Sequence, residues 1–78
     1  MKKRVYLTYP KDQVKEPLLY HCSRQFDLVF NIRQASVSDK IGLVALELEG
    51  EEEQIERAIQ FFKDKGVKVE PIELDVIE

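Results

Sequence analysis

One cysteine and one histidine supply the only thiol and the only imidazole in this 78-residue chain. A lone Cys22 excludes an internal disulfide, and with His21 it leaves no thiolate or imidazole cluster for zinc or an iron–sulfur centre, so neither metal nor cofactor is expected. Basic excess is also missing: 12 Lys and Arg stand against 15 Asp and Glu, a formal charge of −3. That balance gives no pull toward phosphate backbones, so nucleic acid is not an expected partner. No run approaches the ~18 apolar residues that cross a bilayer. Met1-Lys2-Lys3-Arg4 imitates the start of a signal peptide, but Thr8, Pro10, Lys11 and Asp12 interrupt the apolar region that should follow, and a cytoplasmic location without membrane insertion is expected.

The chemistry of an enzyme is absent too. Phosphate loop, catalytic triad and zinc spacing are all missing. Glu51, Glu52, Glu53 and Glu56 lack the alternating ligands and tight glycine turn of a calcium loop, and read as a solvated helix start. Glu47 and Glu49 are carboxylates on one face, two residues apart, yet no nucleophile lies near them and an open sheet would not desolvate them. At this length one domain with a single core is expected, with any site shallow or shared. The expectation is a non-enzymatic protein.

What the chain does have is periodicity. Val5, Leu7 and Tyr9 alternate with Arg4, Tyr6 and Thr8 until Pro10 removes a backbone donor, which predicts a first strand over 3–9. After a polar connection over 11–16, Pro17 suits a first helical position, and Leu18, Leu19, Cys22 and Phe26 form one apolar stripe with His21 at its flank. The stretch 26–50 reads as a β-hairpin at the centre of a small sheet. Leu28, Phe30 and Ile32 point one way, Val44, Leu46 and Leu48 likewise after a break at Ser38-Asp39-Lys40, while Asn31, Arg33, Glu47 and Glu49 occupy a second face open to water or a ligand.

Parity changes within the first arm: Phe30 and Ile32 are even-numbered, Ala35 and Val37 odd. One extra residue near Arg33-Gln34 repairs the register, so a β-bulge is predicted there, with Gly42 as a second irregularity. Gly50 opens a second helix whose first turn is acidic; Ile55, Ala58, Ile59 and Phe62 form its stripe, Glu53 and Arg57 pair at i, i+4, and Gly66 ends it. Val67 and Val69 make a last strand that Pro71 limits, and Leu74, Val76 and Ile77 form a tail. The domain is 1–78, with a core of about 3–73 and a tail over 74–78. Its order, β-α-β-β-α-β, is α+β and ferredoxin-like: a four-stranded antiparallel sheet, both helices on one face, strand order 4-1-3-2. The strand over 28–37 then lies at an edge, free to pair with a second copy in a homo-oligomer.

Tyr9-Pro10, Phe30-Asn31-Ile32, Gly42, Leu48-Glu49-Gly50, the helix from Ile55 to Phe62 and Gly66-Val67-Lys68-Val69-Glu70 together resemble a NIL domain over nearly the whole chain. The family takes its name from an Asn-Ile-Leu tripeptide, which here reads Asn31-Ile32-Arg33. The resemblance implies an ACT-like module of the kind found at the C-terminus of methionine-importer ATPases, where it binds methionine and inhibits transport. It also implies a ligand site at a subunit interface containing Asn31 and Ile32, with Arg33 beside them. Such modules also occur next to ferredoxin-type cluster domains and alone, and this chain, with neither ATPase nor cluster motif, is similar to the last.

An asparagine amide can donate to a carboxylate and accept from an ammonium. Arg33 could clamp a carboxylate, face solvent or pair with Glu47 across the strands. Cys22 reads as a small buried hydrophobe rather than a reactive thiol, because it falls on the apolar stripe. Tyr6 and Tyr20 read as packing residues rather than stacking platforms. Two functions remain open: binding of methionine or a related sulfur amino acid between subunits to regulate a partner, or service as an accessory subunit that docks a ferredoxin-like or sulfur-handling protein.

Overall fold

The computed structural model describes residues 1–10, 17–38 and 40–72. Strand β1 (Lys2–Tyr9) leads to helix α1 (Leu18–Gln25), then β2 (Val29–Val37), β3 (Gly42–Glu49), helix α2 (Glu52–Asp64) and β4 (Lys68–Pro71). The sheet order is β2-β3-β1-β4 and all three strand pairs are antiparallel, which is the expected 4-1-3-2 order read from the other edge. The expectations for 11–16, Asp39 and the tail at 74–78 lie outside the described residues.

Alternation decides which face is covered. Val5, Leu7 and Tyr9 of β1 and Val44, Leu46 and Leu48 of β3 are buried together with Leu18 and Cys22 of α1, Ile55, Ala58 and Phe62 of α2, and Val67. Both helices therefore lie on the same side of the sheet, as the ferredoxin-like reading requires. Among the described residues no helix lies over the opposite face.

The ends of α2 follow from local chemistry. Glu52 and Glu53 sit in its first turn at the positive end of the dipole, and Arg57 Nη2 donates to Glu53 Oε2 at 2.9 Å. At the other end Gly66 adopts φ +87°, its N–H bonds to the Lys63 carbonyl at 3.0 Å, and the Val67 N–H bonds to the Phe62 carbonyl at 3.0 Å. These two bonds are a Schellman closure, for which a residue without Cβ is the least strained choice.

Five expectations are corrected. Pro17 is the N-cap of α1 rather than its first residue: its ψ of 63° is not helical, and its carbonyl accepts the His21 N–H at 3.1 Å. Gly50 precedes the N-cap Glu51, and its role is close approach: a Cβ there would stand 2.5 Å from Leu28 Cδ2 and 3.2 Å from the Asp27 carbonyl oxygen. Gly42 is no irregularity; it sits in register opposite both Tyr9 and Val37. The helix-side residues of β2 are not uniformly buried, since Phe30 is half-buried while Ile32, Ala35 and Val37 are exposed at an edge beyond the helices' cover. Glu47, finally, is not a freely solvated carboxylate: it is buried, with 8% exposure.

The bulge is where parity placed it. Ile32 pairs with Leu46 and Gln34 with Ala45, so Arg33 is the unmatched residue.

Candidate functional site

Strand register assembles a polar row on the helix-free face. Arg4 of β1 and Asn31 of β2 both pair with Glu47 of β3, one on each side; in the next row Lys2 and Val29 flank Glu49. Strict alternation would have sent the side chain after Ile32 to the open face and the next one away from it. The extra residue at Arg33 lets Arg33 reach Glu47 while Gln34 still pairs with Ala45.

Glu47 is the centre of the arrangement. Its carboxylate lies 3.4 Å from Arg4 Nε, 3.5 Å from Arg33 Nη1 and 3.7 Å from Lys2 Nζ. One buried anion among three cations avoids the desolvation cost of an unpaired carboxylate and leaves the cluster with excess positive charge. Arg33 is 49% exposed at its side chain. Its guanidinium has five N–H donors in a planar fork, and a single contact to Glu47 leaves donors free for a second carboxylate.

A shallow cavity of about 310 Å³ lies here, lined by Lys2, Val29, Phe30, Asn31, Arg33, Glu47 and Glu49. It contains both signs of charge, an amide and a small apolar wall, which is what a zwitterion with an apolar side chain requires. A second concavity of about 410 Å³ on the same face is lined by Tyr6, Gln34, Ser36, Leu43, Ala45 and Glu70. Of the three residues expected to form a site, Asn31 and Arg33 line the cavity. Ile32 does not line it: it pairs with Leu46 on the helix side and is 53% exposed. Lys2 and Arg4 were missed. Their alternation with Lys3 and Val5 carried the signal, but only the β1–β3 register shows that they flank Glu47 and Glu49.

Cys22 is wholly buried in the core, and burial pushes its thiol up to about 12. A protonated, inaccessible thiol is a packing group. Among the described residues no group of three or more His, Cys, Asp or Glu is placed to hold a metal ion, and none of their helices is long and apolar enough to cross a membrane.

Comparison with known proteins follows the same outline. The model of the NIL domain matches residues 3–71. The chain is 32% identical over 74 residues to the methionine import ATP-binding protein MetN of Bacillus subtilis (strain 168), covering 90% of this chain and 22% of that protein. It is 33% identical over 76 residues to methionine import ATP-binding protein MetN 1 of Listeria monocytogenes serotype 4b (strain F2365), covering 92% and 22%. The chain thus spans about a fifth of the curated relatives it matches. Among solved structures, the C-terminal domain of an ABC transporter ATP-binding protein from Enterococcus faecalis superposes with a TM-score of 0.78 at 27% identity, over 90% of this chain and 82% of that one.

Proposed function

The chain belongs to the NIL domain family, and from that premise we propose that it is a non-enzymatic regulatory module binding a small amino acid, methionine or a related sulfur amino acid, at a subunit interface. The observation that carries the reading is the convergence of Asn31, Arg33, Lys2 and Glu49 on one shallow cavity beside β2, the edge strand among the described residues. Arg33 and Lys2 take the ligand carboxylate, Asn31 and Glu49 the ammonium, and Val29 faces the side chain. Ile32 acts differently: it belongs to the edge that pairs with a second copy, and that copy closes the open side of the cavity. A cytoplasmic location, suited to regulating an importer's ATPase, is part of the same reading, and the MetN names of the relatives support methionine as its ligand.

Calorimetric titration with L-methionine tests it. Asn31→Ala should weaken binding at least about ten-fold, the loss of one charge-assisted hydrogen bond, with no fall in Tm. Unchanged affinity would reject the role of Asn31.

A second reading is favoured by a different feature. Tyr6 and Leu43 are exposed on the helix-free face beside the larger concavity, a surface suited to docking a ferredoxin-like or sulfur-handling protein. In that case a pull-down retains one specific partner and free amino acids do not bind.

A further inference from the structure

Leu46, Glu47 and Leu48 stand in the middle of β3, where alternation buries the two leucines on the helix side and sends Glu47 to the other. Because β3 lies between β1 and β2, the Glu47 carboxylate has a strand on each side, and the residue keeps only 8% of its surface. Two of the three cations around it also line the amino-acid cavity. Glu47 Oε1 lies 3.5 Å from Arg33 Nη1 and Oε2 lies 3.7 Å from Lys2 Nζ, while Arg4, outside the lining, reaches Oε1 at 3.4 Å through its Nε. Charge-assisted hydrogen bonds close to about 2.8 Å. At the longer distances seen here, Glu47 attracts Arg33 and Lys2 without saturating either.

We infer, resting on the assignment of the ligand carboxylate to Arg33 and Lys2, that Glu47 sets the affinity of this site: it is a resident counter-anion that holds the two cations at the cavity and repels the carboxylate they take. Two carboxylates then share one pair of cations. Each reduces what the other gains, so the site releases its amino acid at a higher concentration than Arg33 and Lys2 alone would permit, as a sensor of a varying solute requires. Glu47 is not a second acceptor for the ammonium, because both of its oxygens face cations.

Glu47→Gln keeps the shape and removes the charge. A unit charge about 6 Å away is worth about three-fold in affinity at the dielectric of water, and more where water is excluded. In calorimetry the Kd for L-methionine should therefore fall about three-fold or more, with a smaller gain at high salt, while L-methioninol, which keeps the ammonium and lacks the carboxylate, should bind no tighter. Arg4→Gln/Glu47→Gln removes one charge of each sign and should shift the methionine Kd in the same direction, which excludes an effect of overall charge and serves if Glu47→Gln does not fold. Unchanged or weakened methionine binding would overturn the counter-anion role: equal weakening of both ligands would make Glu47 an ammonium acceptor, and weakening of methionine alone would make it an anchor for Arg33.

Acetate separates this role from the amino-acid reading. Titrated against chloride at constant ionic strength and followed by NMR at the side-chain N–H of Arg33, acetate should bind Glu47→Gln about three-fold more tightly than the parent, whether or not methionine binds either protein. Equal or absent acetate binding would overturn the role of Glu47. The expected acetate result without any methionine binding would overturn the amino-acid reading alone and support the effect of Glu47 on carboxylates.

Discussion

Two buried protic groups set how the protein responds to alkali. Cys22 has its ordinary value of 9.0, and Tyr9 its 10.0, raised to about 12 in each case, chiefly by burial. Between about 9 and 12 the unfolded chain therefore releases protons that the folded chain retains. By linkage, this contribution to stability is complete below pH 9 and is lost as pH rises toward 12. Urea unfolding midpoints at pH 7, 9.5 and 10.5 should fall progressively, and in Cys22→Ala/Tyr9→Phe the fall should be shallower. Equal slopes in the two proteins would contradict the burial argument. Cys22 also shows what single residues disclose in sequence: its place on an apolar stripe was enough to read it as packing. Glu47 was not legible in that way. A carboxylate on an open sheet face reads as solvated, and only the register that surrounds it with Lys2, Arg4 and Arg33 explains why it is buried.

The elements were largely written in periodicity, and their departures have local causes. The bulge at Arg33 was visible because an inserted residue must invert the parity of every apolar position after it. Gly42 misled because glycine in a strand often marks an irregularity, whereas here it keeps register between two neighbours. Ile32 and Val37 misled for another reason: alternation assigns a side chain to a face but does not say whether a helix covers that face at an edge. The end of α2 is the sharpest case of sequence specifying geometry. Gly66→Ala meets no atom within 4 Å at its new Cβ, so its whole cost is the positive φ. Denaturant unfolding should show a loss of about 1 kcal/mol; no loss would mean that the closure relaxes.

At the scale of the molecule, the described residues leave one sheet face and one long edge uncovered. Val29 and Ile32 expose most of their aliphatic surface along β2, which among the described residues pairs with β3 alone. Such an edge invites a second copy. Sedimentation should show a dimer, and Ile32→Lys, at a position the fold does not bury, should give a monomer with an unchanged circular dichroism spectrum. A monomeric parent protein would remove the interface from the account.

The same open face carries the central claim, that Asn31 and its charged neighbours hold an amino acid. A ligand bound only by the folded protein raises its stability by mass action. The most direct measurement is therefore a thermal-melt series with methionine, cysteine, homocysteine and S-adenosylmethionine. The account predicts a saturable rise in Tm with one sulfur amino acid, lost in Asn31→Ala. A flat series across the panel at millimolar concentration would contradict it.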